Sequence, residues 1–158
     1  MNFLYKSFDE IVIGERFISR GRTITEADIV NWCAMTGDWH VLHTDAHFAA
    51  QQRFGQRIAP GLLVYAIGAG LGVPADAQAI VANYGVDRLR FTAPTVIGDT
   101  VHLEAQVLGK QVKRAGRDGV VTISWSMCNQ NDVTVLASEL KILLAWSNAS
   151  KESSSHVQ

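Results

Sequence analysis

The sequence predicts an α+β fold in which a curved antiparallel sheet wraps around one apolar helix. The helix is predicted over residues 62–71, which are apolar on nearly every side and follow the helix-opening pair Pro60-Gly61. From Ile80 onward apolar residues recur at every second position, which is the period of β-strands. A helix that is apolar all round has to be buried, and antiparallel strands after it supply the layer that buries it.

Local signals define the elements before the central helix. Residues 8–24 predict an entry segment and a short first strand. Thr25 and Asp28 match a capping box, which predicts a helix that ends at Gly37. A second short helix is expected over residues 46–54, capped by the aspartate before it.

The second half of the chain is predicted to form four or five antiparallel strands. Turns are expected at residues 98–99, 113–119 and 129–132, where polar and turn-forming residues interrupt the alternation. Three glycines of the central helix each cost roughly 1 kcal/mol against alanine, which predicts close packing of the helix against the sheet. They are Gly68, Gly70 and Gly72.

Composition places the chain among single-domain globular proteins. It has 158 residues, of which 47% are hydrophobic, and we expect one domain over residues 1–146 and a flexible, serine-rich tail over residues 147–158. A net charge of -1 without a basic run argues against nucleic-acid binding. No stretch approaches the roughly 18 apolar residues of a membrane span, so a cytoplasmic protein is predicted. Cys33 and Cys128 lack metal or redox spacing and are expected to be free thiols.

An acid and an imidazole stand five positions apart directly after the first helix. Asp38 follows Gly37 and is separated from His43 by four residues. In a loop both side chains can point at one spot, whereas on a continuous helix an offset of five would turn them apart. Taken alone, each residue type is more often structural than catalytic in this setting, the aspartate as a turn or cap residue and the histidine as a satisfied half-buried residue. Together they suit paired acid and base chemistry.

Short motifs follow one another in a fixed order between residues 8 and 146. They are residues 21–25, Gly37-Asp38, His43, Asp45, Phe48-Ala49, Phe54-Gly55, residues 58–63, residues 90–94 and residues 98–100. This ordered set resembles the MaoC-like, R-specific enoyl-CoA hydratase and dehydratase family. The resemblance implies a hot-dog fold that pairs into a homodimer. The family usually has Asn and Pro where this chain has His40 and Val41, and many members have a serine where alignment from Gly61 reaches Ala69.

The resemblance implies reversible hydration of a trans-2-enoyl-CoA to a (3R)-hydroxyacyl-CoA. Asp38 and His43 would hold one water between them, with His43 taking its proton and Asp38 orienting it or delivering a proton to C2. The backbone N–H of Gly61 would face the thioester oxygen at the start of the central helix. Acyl-CoA is then the substrate, and no metal or redox cofactor is implied. A thioesterase and a non-catalytic acyl-CoA-binding subunit are the alternatives, since one fold hosts several functions.

Four further residues are weaker candidates for substrate binding. Trp39 and His40 lie between the acid and the imidazole, and Arg88 and Arg90 alternate with apolar residues, either on a solvated face or in contact with a phosphate of coenzyme A. No metal site is predicted, because the histidines and aspartates between residues 38 and 47 match no ligand spacing. His102 and His156 are interpreted as incidental.

Overall fold

The sheet contains six antiparallel strands in the part of the chain that the structure describes. The computed structural model describes residues 1–147. The order in the sheet is β1-β4-β5-β6-β3, and β2 also pairs with β4. After a short 3-10 turn at Phe3–Tyr5, the elements are β1 (Arg16–Ile18), β2 (Arg22–Thr23), α1 (Glu26–Thr36), α2 (Val41–Thr44), α3 (Ala46–Ala50), α4 (Gly61–Gly72), β3 (Ile80–Phe91), β4 (Thr100–Arg114), β5 (Asp118–Cys128) and β6 (Thr134–Ala145).

The central helix α4 packs on the concave side of this sheet, which confirms the predicted α+β architecture. It contacts β4, β5 and β6, and it buries Leu63, Val64 and Ile67 against them. Register shifts in β3 and β4 mark bulges, which bend strands and let the sheet curve around the helix. The hydrophobic core therefore lies between α4 and the sheet.

The opposite side of α4 is open, so the expectation of a helix buried all round is wrong for the single chain. Leu62 is 54% exposed, and Ala66 and Gly70 on the same stripe are also exposed. Residues four positions apart share one face of a helix, and a single sheet layer covers only the face opposite to it. None of the described helices is long and apolar enough to cross a membrane.

Two of the three helix glycines are packed as closely as predicted. A Cβ at position 72 would lie 2.3 Å from both Leu103 Cδ2 and Trp125 Cη2, and one at position 68 would lie 2.8 Å from Met127 Sδ. Gly70 differs, because a Cβ there would meet nothing within 4 Å. The prediction is confirmed for Gly68 and Gly72 and wrong for Gly70, which faces away from the sheet.

This contrast predicts opposite effects of alanine at positions 70 and 72. We expect Gly72→Ala to lower the free energy of unfolding by about 1 to 3 kcal/mol, because Leu103 and Trp125 are fully buried and cannot yield freely. Gly70→Ala is expected to raise it by up to about 1 kcal/mol through helix propensity alone. Urea unfolding of the two variants measures both. Equal effects of the two substitutions would contradict the packing described here.

Local signals fixed most element boundaries ahead of α4. The capping box of α1 forms as predicted, and Gly37 ends that helix with φ at 78°. The second short helix stops at Ala50 rather than residue 54, and residues 51–56 form turns and bends that include Gly55 with a φ of 69°. β3 is longer than the predicted strand and continues to Phe91.

The first residue of the predicted tail is held against the domain. Ser147 donates from its backbone N–H to Asp9 Oδ1 at 2.9 Å and from its hydroxyl to Asp9 Oδ2 at 2.8 Å. These two hydrogen bonds connect Ser147 to the domain, and the flexible tail over residues 147–158 stays a prediction. The rest of that tail, including His156, lies outside the described residues.

Candidate active site

The structure brings Asp38 and His43 together. Asp38 lies in the short link after Gly37, and His43 lies in the single helical turn α2 rather than in an open loop. The distance from His43 Nε2 to Asp38 Oδ2 is 4.0 Å. The His43 side chain is 14% exposed and that of Asp38 is 47% exposed, so the imidazole lies inward and the carboxylate at the rim.

A main-chain carbonyl determines the tautomer of the His43 ring. Nδ1 lies 2.7 Å from the carbonyl oxygen of Ile58. A carbonyl oxygen only accepts, so Nδ1 carries the hydrogen and donates it. Nε2 of the neutral ring therefore has a free lone pair, and this is the atom that faces Asp38. His43 is oriented as a base.

The separation between the two side chains suits a shared water molecule. At 4.0 Å the two atoms are beyond the roughly 2.7 to 3.2 Å of a direct N–H to O hydrogen bond. One water can hydrogen bond to both, with one hydrogen directed at Nε2 and the other at the carboxylate. The arrangement can therefore hold a water and remove a proton from it.

Backbone hydrogen bonds hold residues 58–59, which precede α4, and so fix the position of the Ile58 carbonyl that orients His43. Ile58 N–H donates to the Leu42 carbonyl at 3.2 Å, and Ala59 N–H donates to the Thr95 carbonyl at 2.7 Å. Arg57 forms a two-pronged ion pair with Glu26 at the start of α1. The paired guanidinium also holds the pKa of the Glu26 carboxyl below its usual range.

Burial and the negative charge of Asp38 affect the pKa of a neighbouring thiol, Cys33. Burial raises the pKa of the Cys33 thiol, and the nearby negative charge of Asp38 raises it further. Cys33 is a fully buried residue of α1, and both it and Cys128 are free thiols. A protonated, buried thiol next to the acid is a packing group rather than a nucleophile.

Gly61 opens α4 beside His43. Both line one pocket of about 400 Å³, and the Gly61 N–H has no hydrogen-bond partner among the described residues. Pro60, the N-cap residue, makes no side-chain cap. The amides of a first helical turn carry partial positive charge, so this end can receive a developing negative charge. The ring of Phe91 lies so close that a Cβ at position 61 would be 2.6 Å from it.

The pocket wall contains residues that sequence reasoning missed. Arg53 lines the pocket and forms no ion pair among residues 1–147. Its guanidinium lies 6.0 Å from the centre of the Phe54 ring. Arg53 directly precedes the Phe54-Gly55 motif, and this position next to a family motif was the signal that could have identified it from the sequence. The other lining residues are mostly apolar and include Ile58, Ala59, Val64, Phe91, Ala93, Pro94 and Val135.

Trp39 and His40 do not line this pocket. Trp39 is 55% exposed. His40 is the N-cap of α2, where its Nδ1 accepts from the Leu42 N–H at 3.2 Å. Its ring is edge-on to that of His43, with centroids 5.9 Å apart. His40 therefore supports the turn that carries His43.

Arg88 and Arg90 also lie away from the pocket. Arg88 has a φ of 54° at an irregular point of β3 and pairs across to Glu139 at 2.8 Å. Arg90 donates to the Leu89 carbonyl at 2.8 Å. Ala69 lines a separate cavity of about 70 Å³ with Tyr65. The structure thus places His43 next to Asp38 and in the pocket that Gly61 lines, whereas none of the four weaker candidates lines that pocket.

Fold and site together define a hot-dog protein with an acid and an imidazole at the start of its central helix. An essential protein from Mycobacterium tuberculosis described as a double hot-dog fold superimposes with a TM-score of 0.78, covering 93% of this chain and 46% of that one at 23% identity. The chain belongs to the MaoC-like dehydratase family, whose model of the MaoC-like domain matches residues 10–127. The resemblance seen in the motifs is confirmed.

Solved structures in the same family align over most of the chain. A monoamine oxidase regulatory protein from Archaeoglobus has a TM-score of 0.84 at 35% identity, covering 90% of this chain and 95% of that one. The R-hydratase PhaJ1 from Pseudomonas aeruginosa has a TM-score of 0.70 at 29% identity, covering 87% and 84%.

Curated relatives are similar over part of their length. Protein MaoC of Klebsiella aerogenes is 40% identical over 108 residues, which is 68% of this chain and 32% of the relative. The beta-methylmalyl-CoA dehydratase of Chloroflexus aurantiacus is 33% identical over 132 residues, or 82% of this chain and 37% of the relative. The chain spans about a third of the length of these two proteins.

Proposed function

We propose that this protein is a hydro-lyase that adds water reversibly to a trans-2-enoyl-CoA and forms a (3R)-hydroxyacyl-CoA. The proposal rests on the orientation of His43. Its Nδ1 donates to the Ile58 carbonyl, so the lone pair of the neutral ring is on Nε2, which faces Asp38 across 4.0 Å. The names of two relatives, a dehydratase of a CoA thioester and an R-hydratase, support the same reaction class.

The proposed reaction needs only proton transfers and charge stabilisation. His43 Nε2 takes a proton from the water shared with Asp38, and the water oxygen bonds to C3 of the enoyl group. The electrons of the double bond move toward C2 and the thioester oxygen, where the Gly61 N–H and the start of α4 stabilise the negative charge. The proton is then returned to C2, either directly from Nε2 or by way of Asp38. Dehydration is the reverse sequence, and neither direction requires a metal or redox cofactor.

An assay with two substrates tests the reaction. Purified protein is mixed with trans-2-butenoyl-CoA or trans-2-octenoyl-CoA, and loss of the conjugated thioester absorbance is followed in parallel with release of free thiol. We expect absorbance loss without thiol, and a product that a (3R)-specific dehydrogenase oxidises. Thiol release would instead identify a thioesterase, and tight binding with no turnover would identify a non-catalytic acyl-CoA-binding subunit.

We also propose that the protein acts as a homodimer. β3 forms one edge of the sheet, and exposed edge strands are rarely left unpaired. Val81, Tyr84 and Phe91 on this strand are exposed apolar residues. Pairing of two β3 edges would cover them. Light scattering after size exclusion is expected to give twice the chain mass of 17.3 kDa, and Val81→Asp is expected to shift it toward the single-chain mass.

Arg53 is expected to bind a negative group of the substrate at the pocket mouth. Arg53→Gln should raise KM for the CoA thioester by roughly fivefold with kcat nearly unchanged, because an exposed ion pair contributes about 1 kcal/mol. The negative group that Arg53 binds can belong either to the phosphates of coenzyme A or to the acyl part of the substrate. The matching thioester of N-acetylcysteamine has no phosphate and therefore distinguishes the two. An unchanged KM for that compound assigns Arg53 to the phosphates of coenzyme A.

The control for this prediction is Arg88→Gln, which removes an exposed arginine outside the pocket. It is expected to leave KM within a factor of two. Equal KM changes in the two variants would mean that Arg53 has no specific contact with substrate.

A further inference from the structure

Three side chains with metal-binding atoms cluster on the outer face of the sheet, opposite α4. They are His102, Glu104 and Cys128, and their ligand atoms all lie within 4.8 Å of one another. His102 Nε2 is 3.4 Å from Glu104 Oε1. The alternating residues Val101, Leu103 and Ala105 of β4 point into the core, so His102 and Glu104 point away from it. The cluster is therefore separate from the active-site pocket.

The sheet holds the three residues in fixed relative positions. His102 of β4 and Cys128 of β5 are direct partners in the antiparallel register, and Glu104 lies two residues along the same face of β4. Cys128 Sγ also contacts Thr134 Oγ1 on β6 at 3.7 Å. Ligands on neighbouring paired strands lose little freedom when they bind an ion, which favours binding.

The donor set matches the chemistry of zinc. Thiolate sulfur, imidazole nitrogen and carboxylate oxygen are its usual protein ligands, at about 2.0 to 2.3 Å, and a tetrahedral site places them roughly 3.3 to 3.7 Å apart. The observed limit of 4.8 Å is wider than this range, and rotation of the His102 and Glu104 side chains would have to close the difference. A thiolate and a carboxylate together balance the two positive charges of the ion.

We propose that His102, Glu104 and Cys128 form a zinc-binding site, with a water molecule as the fourth ligand. On binding, the S–H bond of Cys128 breaks, a sulfur–zinc bond forms and the proton passes to solvent. The ion then bridges β4 and β5. Because it binds only where the two strands are paired, it stabilises the folded protein by an amount that grows with the logarithm of the zinc concentration once that exceeds the dissociation constant. This site is independent of the proposed hydration reaction.

The test is zinc titration of the full chain after treatment with a chelator. Competition with a chromophoric chelator is expected to show one zinc ion per chain. Cobalt in place of zinc is expected to give a thiolate-to-metal charge-transfer absorption, which reports directly on the Cys128 sulfur. A zinc-dependent rise in Tm is the third expected result. None of these measurements depends on enzymatic activity.

Variants assign the site. His102→Ala and Cys128→Ser are each expected to weaken zinc binding by roughly 100-fold or more, since even partners outside the ligand shell contribute 10- to 100-fold. His47→Ala and Cys33→Ser are the matched controls and should bind as the parent does. His102 lies on the surface face, so its variant keeps the test sound even if Cys128→Ser folds poorly.

Two results would overturn the proposal. One is the absence of zinc binding to the chelator-treated protein. The other is zinc binding that persists unchanged in His102→Ala, which would leave the cluster as a carboxylate–imidazole pair beside a buried thiol.

Discussion

His43→Ala is expected to lower kcat for enoyl-CoA hydration by roughly 10²- to 10⁴-fold, the usual contribution of a general base. The substitution removes Nε2, which takes the proton from water in the proposed reaction, while the fold should persist because the side chain contributes one hydrogen bond, to the Ile58 carbonyl. Asp38→Asn is expected to reduce kcat in the same range, since it keeps the shape of the side chain but removes its negative charge. Steady-state kinetics with saturating enoyl-CoA measures both.

The matched control for His43 is His40→Ala. The two rings are 5.9 Å apart, but His40 uses its nitrogen to cap α2 and does not line the pocket. We expect its loss to reduce kcat only a few-fold, with a stability cost of about 1 kcal/mol for the missing cap. Activity within a few-fold of the parent in a folded His43→Ala variant would remove His43 from the mechanism.

Gly61→Ala is expected to reduce kcat/KM by roughly 10²- to 10³-fold. Its Cβ would lie 2.6 Å from the Phe91 ring, so the start of α4 or the ring has to move. Movement of the helix start takes the Gly61 N–H away from the thioester oxygen, and losing one such donor costs about 2.7 to 4 kcal/mol of transition-state stabilisation. The loss should fall on kcat more than on KM, because the charge develops in the transition state.

A double variant separates this clash from other effects of alanine. Phe91→Ala opens the space that the new methyl group needs, so Gly61→Ala combined with Phe91→Ala should recover part of the lost kcat relative to Gly61→Ala alone. Phe91→Ala by itself reports the contribution of the ring as pocket wall. If Gly61→Ala retained full activity, or the double variant recovered nothing, close approach of the helix start to the substrate would be excluded.

Features set by neighbouring residues were predictable from the sequence. The capping box of Thr25 and Asp28, the helix stop at Gly37 and the alternation along β4 to β6 each depend on contacts a few residues apart or on a simple period. The pairing of Asp38 with His43 was also predictable, because the non-helical link after Gly37 lets two side chains five positions apart turn toward each other. The rest of the fold was predicted from the resemblance of the motifs to the MaoC-like family.

Features set by distant contacts were not predictable. The partner that orients His43 is a carbonyl fifteen positions away, and a carbonyl leaves no trace in residue type. The exposed stripe of α4 is as apolar as its buried face, so hydrophobicity could not distinguish the two. His102, Glu104 and Cys128 meet only because β4 and β5 pair in one particular register.

The orientation of His43 by a peptide oxygen makes its geometry independent of side-chain identity at position 58. Ile58 supplies its carbonyl to the imidazole and its side chain to the pocket wall. These two contributions can change separately, because every amino acid at that position brings the same carbonyl. In the proposed hydration reaction, substitutions at position 58 are therefore expected to alter the preference for acyl-chain length, in evolution or by design, while the His43 imidazole keeps its place.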